Sequence, residues 1–553
     1  MRRGVVLALA VAAVVSPTNV AAARSPDVVL TSVKTNRVSL VGRPFFVTAT
    51  VTDRAPSLRK AIVTVSVGAT TLADTSAVVL PGQRVAVKLP ISLQAPGKTH
   101  LVVAVGTSRR AVSVDVAEFR VQTTSVLVPS FAGYGAQFNH HVYSALSRSV
   151  GVTDDNVTDM EQKMRTLHPQ FSRIFFTPQA FSDPDKMQSF VRTVLFAQSV
   201  GTDINITWQG GTLSVAAGTV QKFADVLLDL VRNRGVTHLR WLTLQNEPNR
   251  TRITLEAYER QYRELDPYIQ SIRGQVKYMG GDLVRGPDNG PPNQQAWFEY
   301  MAAHMSDILD AYSIHVFWDY WDTQKIVDRL TEVRAIVDAL PESGRKPLYV
   351  TEYGVRGQRT FNGVAQVEPG VWDDGTPITQ TNVSAFQHAL FDVLAAQLGY
   401  SGTSKWDAYY GKYDSGTQAY YFIGAPQNGW PLYPMYNFMQ LLTTTVKRQW
   451  QVVFVDAVPG TTRMLAGYLG KRKQQTVIGL DAAGAQLNTV APTTVSYSIA
   501  GLPPSKPLNL LIWNEAGDGL VGPKHAVQSD AAGMVTITVP QQGVFVLTSL
   551  RLG

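Results

Sequence analysis

Along residues 26–122 apolar and polar positions alternate with the period of two that a half-buried strand requires, most clearly over 45–51, 61–67, 85–93 and 100–105. Turn signals such as Pro81-Gly82 and Pro96-Gly97 separate the runs, and the pattern predicts an immunoglobulin-like or fibronectin-like β-sandwich. After Thr123 the pattern changes. Short apolar runs now alternate with longer segments of helical spacing as far as Lys447. From Arg448 to the end it returns to strands, over 451–455, 476–480, 493–498, 508–513 and 535–539, and a second β-sandwich is expected there, with a run near Val126 as a candidate to complete it.

The middle segment reads as eight strand-helix pairs. A first strand falls at 126–128 or 131–138, followed by a helix over 154–167 whose inward positions are Val157, Met160, Met164 and Leu167. The second strand is 171–176, and Ser182-Asp183-Pro184 then caps a helix running from 187 to 200. Strand 204–208 precedes helix 215–231, strand 241–244 precedes 255–272, and strand 276–283 precedes 294–305. Strand 311–317 leads to 326–340, strand 348–352 to a long loop and 384–398, and strand 404–410 to a closing helix at 435–442. Eight such pairs match a closed (β/α)8 TIM barrel better than an open doubly wound sheet. The glycine-rich phosphate loops of the open folds are missing, and no nucleotide cofactor is expected; Gly133-Tyr134-Gly135 reads as a lone pair of turn glycines.

The N-terminus adds an address. Arg2 and Arg3, an apolar run over 5–15, Pro17 and Ala21-Ala22-Ala23 form the pattern of a secretory signal peptide processed after Ala23, which predicts export to the outside of the cell or its wall. The run is short of the ~20 apolar residues needed to span a bilayer, so membrane insertion is not expected. The domains are therefore drawn as signal peptide 1–23, sandwich 24–122, barrel 123–447 and C-terminal sandwich 448–553. The formal charge of +8 falls to +6 without Arg2 and Arg3 and shows no clustered basic tract, which gives no support to nucleic acid as a partner. With no cysteine in 553 residues, disulfides, thiolate metal sites and cysteine nucleophiles are excluded.

Candidate chemistry concentrates at two strand ends. Leu242-Thr243-Leu244 stops at Gln245-Asn246-Glu247-Pro248, and Leu348-Tyr349-Val350-Thr351 stops at Glu352-Tyr353-Gly354. In a (β/α)8 barrel the C-terminal strand ends converge on one mouth, so Glu247 on strand four and Glu352 on strand seven face each other across it. Two carboxyls ~5 Å apart suit double displacement with retention at a glycosidic carbon, whereas ~6.5–9.5 Å suits inversion through a water.

With these motifs the chain resembles clan A of the retaining glycoside hydrolases, the 4/7 superfamily that includes cellulases. The resemblance implies that Glu247 is the general acid/base, Asn246 a holder of the sugar 2-hydroxyl and Glu352 the nucleophile. It extends to Arg173 at the end of strand two, His315 on strand six and Trp406 at the end of strand eight. His315-Val316-Phe317 departs from the His-x-Tyr common there, because Phe317 has no hydroxyl for the nucleophile; Tyr320 and Tyr353 are candidate substitutes. A carbohydrate substrate is implied, and no metal. His140-His141 lies on a segment expected to be extended, so at most one of the two faces the mouth.

An ionised Glu352 needs a cation such as Arg173 beside it, and Glu247 needs its pKa raised by the neighbouring negative charge. Sugar C–H faces stack on aromatic rings. Among Trp208, Trp297, Trp318, Trp321, Trp372, Trp406 and Trp430, the strand-end residues Trp208 and Trp406 are the better candidates. The substrate-binding set is thus Asn246, Arg173, His315, Trp208, Tyr320 and Trp406. Three alternatives share parts of this pattern: a furanosidase of the same clan, a barrel that binds glycan without cleaving it, and a structural wall protein.

Overall fold

A computed structural model describes residues 28–213, 218–251, 253–285, 294–410, 419–486 and 493–552; the expected signal peptide lies outside them. The chain divides into two compact units, Met1–Val116 and Ala117–Gly553. Among the described residues no helix is long and apolar enough to cross a membrane.

The first unit is a two-sheet sandwich. Val28–Lys34, Phe45–Asp53 and Arg84–Ile91 form one sheet; Val38–Leu40, Ser108–Ala117, Gly97–Val105, Arg59–Val67 and Thr70–Val79 form the other in that order. Alternate residues of both sheets, among them Val47, Val63, Val79, Leu89, Leu101 and Val103, share one core. The same alternation leaves Phe46 exposed, because its neighbours Phe45 and Val47 take the inward face.

The second unit contains an eight-stranded sheet in the order Tyr134–Ala136, Thr403–Lys405, Leu348–Arg356, Ala311–Asp319, Lys277–Leu283, Leu239–Thr243, Asp203–Trp208 and Phe171–Phe176. Every pairing along it is parallel. The two end strands meet through backbone bonds from Gln170 to Tyr134 and from Phe138 to Arg173, which closes the barrel. Gly135 belongs to that seam and to no turn. A Cβ there would stand 1.8 Å from the carbonyl oxygen of Phe171, so only glycine lets the strands approach.

Helices alternate with the strands as their periodicity predicts. Val157, Met160, Met164 and Leu167 are the buried residues of Asp154–Leu167, and Asp183 caps Pro184–Ser199 by accepting from the backbone of Asp185 and Lys186. Asn382–Gln397 differs from its neighbours in being buried all round. It reaches the C-terminal sheet through Gln397 Nε2, which donates to the Leu465 carbonyl at 2.9 Å, and such a helix has no polar face to keep.

The C-terminal strands form one nine-stranded sheet ordered His525–Gln528, Pro507–Trp513, Val544–Thr548, Gln475–Asp481, Arg463–Leu469, Gln451–Ala457, Phe119–Val128, Thr494–Ala500 and Val535–Pro540. It folds back on itself: the rings of Tyr497 and Phe545, from strands far apart in that order, meet at 4.7 Å. Its other face packs on the barrel. Val477 belongs to the core inside the folded sheet, and its neighbour Ile478 to the barrel core. Two domain boundaries drawn from the sequence are thereby corrected. Phe119–Val128 crosses the boundary expected at 122/123, because it pairs antiparallel with Gln451–Ala457. The barrel and the C-terminal sheet belong to one unit with no break at 447/448.

Candidate active site

The strand ends place an acidic and basic cluster in the barrel mouth. Arg173, on the second strand, has no exposed side-chain surface. Its Nε donates to Gln137 Oε1 at 2.9 Å, and its Nη1 donates to Asn246 Oδ1 at 3.1 Å and to Asp282 Oδ2 at 3.2 Å. Nη2 donates to Glu352 Oε2. Four strand ends and the segment after the first strand are thus tied to one guanidinium, whose planar fork of donors suits several acceptors at once.

Asp282 is the counterweight. Its Oδ1 accepts from Ser313 Oγ at 2.8 Å and from Thr351 Oγ1, and its backbone N–H donates to Ser313 Oγ at 2.7 Å. Burial opposes its ionised form, but the charges and bonds of His315 and Arg173 outweigh burial and hold its pKa well below the usual range. The preceding Gly281 has φ +127, and a Cβ there would stand 2.2 Å from the Ser313 carbonyl, so strand five closes on strand six only at glycine. Fully buried, Asp282 serves as the anchor of Arg173.

Glu247 lies four residues past the end of its strand, in the left-handed region at φ +46, and Asp282 at φ +51 shares that region. Such conformations cost about 1–3 kcal/mol in a non-glycine residue and persist where the surroundings impose them. Glu352 also differs from a strand end. Its strand continues to Arg356, paired with Val316 to Asp319 of the neighbouring strand, and His315 stands opposite Glu352 in the register. A donor atom from each of Glu247, His315 and Glu352 lies within 4.8 Å of the others. A cation could use that grouping, but the Arg173 guanidinium already places a positive charge among the same groups.

His315 bridges the two glutamates. Its Nδ1 is 3.3 Å from Glu247 Oε1 and 3.8 Å from Glu352 Oε2, and its Nε2 is 2.7 Å from Arg173 Nη1. Burial disfavours the charged ring, yet the Glu352 and Asp282 carboxylates outweigh it and raise the pKa to about 9. The ring therefore keeps its charge at neutral pH, with Nδ1 facing Glu247 and Nε2 3.5 Å from Asp282 Oδ1.

The raised pKa expected for Glu247 is not found. Burial does push it up, but the bonds and charges of His315 and Arg250 outweigh burial and hold it at about 2. His315 supplies the larger share with both a bond and its charge, and Arg250 adds a second bond and charge. Arg250 Nη1 donates to Glu247 Oε2 at 2.9 Å from a side chain that is 74% exposed. Nothing in the sequence marked it beyond its place two residues after Pro248.

Neither tyrosine reaches the nucleophile candidate. Tyr353 turns away from the mouth to donate to Asp392 at 2.9 Å, and the Tyr320 hydroxyl donates to Asp373. Phe317 instead joins Phe175, Trp406 and Tyr420 in an aromatic wall, with Arg173 4.4 Å from the Phe175 ring centre. Trp406 is 8% exposed there. Trp208 is a correction. It is 1% exposed, donates to the Gly211 carbonyl at 2.9 Å and packs among Phe176, Phe181 and Phe223, so it offers no face to a sugar. The His140 and His141 rings stack 4.4 Å apart, because a single 3-10 turn replaces the expected extended segment.

No family model matches the sequence, and no curated protein matches it. Solved structures do match its fold. A family 30 subfamily 8 xylanase from Clostridium acetobutylicum superposes with a TM-score of 0.52 at 11% identity, over 78% of this chain and 99% of the other. A glucosidase from Croceicoccus marinus gives 0.53 at 13%, over 79% and 99%. A family 51 α-L-arabinofuranosidase from Bifidobacterium longum gives 0.53 at 11%, over 78% and 99%. At such identities the likeness is one of fold, and it is the barrel fold that the clan A resemblance implied.

Proposed function

We propose that the chain is an exported retaining glycoside hydrolase in which Glu352 is the nucleophile and Glu247 the acid/base. The observation that carries this reading is the separation of the two carboxylates: an oxygen of each lies within 4.8 Å of the other. That fits the ~5 Å spacing of double displacement and leaves no room for the water that inversion needs. In the first step a Glu352 oxygen bonds to the anomeric carbon, the glycosidic C–O bond breaks and the leaving oxygen takes a proton from Glu247. In the second, water attacks the same carbon and gives a proton to Glu247, and Glu352 is released. The Arg173 guanidinium holds Glu352 in place, and because its Nη1 holds the Asn246 carbonyl oxygen, the Asn246 amide NH2 is presented to a sugar hydroxyl.

Glu247 must carry a proton for the first step, so its hold on Arg250 has to loosen as substrate enters. Arg250 is the exposed partner, and drawing its charge away removes one of the two holds that lower the pKa against burial, the other being His315. Once Glu352 is esterified its negative charge is gone, which favours an ionised Glu247 as base for the second step.

The solved neighbours act, by their names, on xylan, glucosides and arabinofuranosides, so both the β-pyranoside and the furanoside readings stay in the test. The N-terminal sandwich serves in this reading as an immunoglobulin-like spacer, and residues 1–23 as the export signal. Wild type and Glu352→Gln incubated with aryl glycosides, xylan and arabinoxylan test the assignment. Turnover by wild type and loss in the variant are expected; full activity in Glu352→Gln would remove the nucleophile, and no turnover by wild type would favour the non-catalytic barrel.

A further inference from the structure

Trp321 is 51% exposed, which is unusual for the largest apolar side chain when nothing covers it. It follows directly on strand six, the strand that carries His315 in the mouth. That strand runs on, paired, from His315 to Asp319, ~13 Å at ~3.3 Å per residue, and Trp321 lies in the turn that follows its outer end.

The ring sits on a rigid pedestal. Tyr320 is buried and meets Trp321 edge to face, at 4.8 Å and 84°. The other side of Tyr320 is held by Trp372 at 4.5 Å, on the long loop after strand seven. Its hydroxyl is fixed by Asp373 and by Gln358 Nε2, which donates at 3.1 Å and also reaches Asp373 Oδ1 at 2.7 Å. From the other direction Gln486 Nε2 donates to the Trp321 carbonyl at 3.1 Å. An aromatic face is therefore displayed in a set position, with the carboxylate and amide of Asp373 and Gln358 beside its base.

We propose that Trp321, seated on Tyr320, is a stacking platform for a pyranose ring of the glycan chain, several sugar units from the bond that is cleaved. The inference rests on the reading of the mouth as a glycosidase site and adds to it a substrate class: a polymer or long oligosaccharide that spans the mouth from the Glu247–Glu352 pair to the strand-six rim. A pyranose offers a flat patch of C–H groups to the indole, and its ring hydroxyls suit Asp373 and Gln358. Tyr320, which the sequence placed among the substrate ligands, acts through Trp321 as a positioning residue.

The test compares Trp321→Ala and Trp321→Phe with wild type on an aryl monoglycoside and on xylan and arabinoxylan fragments of increasing length. The aryl substrate does not reach the rim, so its turnover stays within about twofold of wild type, which also shows the variants folded. On long substrates kcat/KM of Trp321→Ala falls about tenfold through KM, and Trp321→Phe recovers part of it. Equal chain-length dependence in wild type and Trp321→Ala overturns the platform while leaving the glycosidase reading standing, as does a wild type that turns over aryl glycosides alone. If wild type turns over nothing, electrophoresis through gels containing xylan or arabinoxylan decides: retardation of wild type but not of Trp321→Ala supports the platform, and identical mobility overturns it.

Discussion

On the floor of the barrel mouth Arg173, Asp282 and His315 expose no side-chain surface, and each is bonded to at least two neighbours, whereas at the rim Arg250 and Trp321 stand largely in solvent. The floor charges have been taken out of water and are held by one another and by neutral groups such as Gln137, Ser313 and Thr351, so removing one leaves another buried without its counter-charge. The rim groups keep their hydration and can move without such a cost. What is fixed is the position of the proposed nucleophile; what is adjustable is the proposed acid/base and the reach to the rest of the substrate.

Substitutions that strip the floor are expected to act hardest. Glu352→Gln removes the attacking oxygen and should lower kcat by at least ~10³-fold on every substrate wild type accepts. Arg173→Met takes the cation from between Asp282 and Glu352; denaturant unfolding should show a loss of about 3–5 kcal/mol together with lost activity. A stable Arg173→Met protein would break the distinction between floor and rim.

The rim should respond through pH and salt, with the fold unchanged. Arg250→Gln removes the second of the two groups, after His315, that together hold the Glu247 pKa at about 2. The protonated acid then survives to higher pH, so the alkaline limb of kcat/KM should move up by about half a unit to one unit, since an exposed charge is partly screened. The same pair bears on stability. A carboxyl with a depressed pKa contributes stability above its ordinary value of 4.5 that is lost as pH falls toward 2, and Arg250→Gln should show less of that loss in an acid titration. The smallest effect is that of salt: raising it from 0.05 to about 1 M should shift the alkaline limb of wild type upward and leave Arg250→Gln in place. An equal salt shift in both would show that Arg250 does not set the acid.

Local patterns exposed the floor in the sequence. Apolar runs of strand length stopping at Glu247 and Glu352 needed only the rule that barrel strands share one mouth, whereas Arg173 and His315 came from the resemblance to clan A. Details that depend on partners distant in the chain stayed hidden. The run near Val126 was a candidate for the C-terminal sandwich, but the extent of its strand, Phe119–Val128, shows only in the ladder that Gln451–Ala457 supplies. Gly135 looked like a turn because the approach of Phe171 that requires glycine joins the first strand to the second across the seam. Trp208 and Trp321 follow strands in the same way in sequence, and the Phe176, Phe181 and Phe223 rings that bury one come from three separate elements. Arg250 gave no pattern at all, since a single exposed arginine after a turn is ordinary until its distance to Glu247 is known.

The central claim is that Glu247 and Glu352 stand close enough for direct attack on the sugar, and the stereochemistry of the first product tests it most directly. Proton NMR in D2O, recorded in the first minutes of hydrolysis of an aryl glycoside that wild type cleaves, resolves the two anomers before they mutarotate. A sugar released with the anomeric configuration of the substrate is the predicted result; the opposite anomer appearing first would contradict the account.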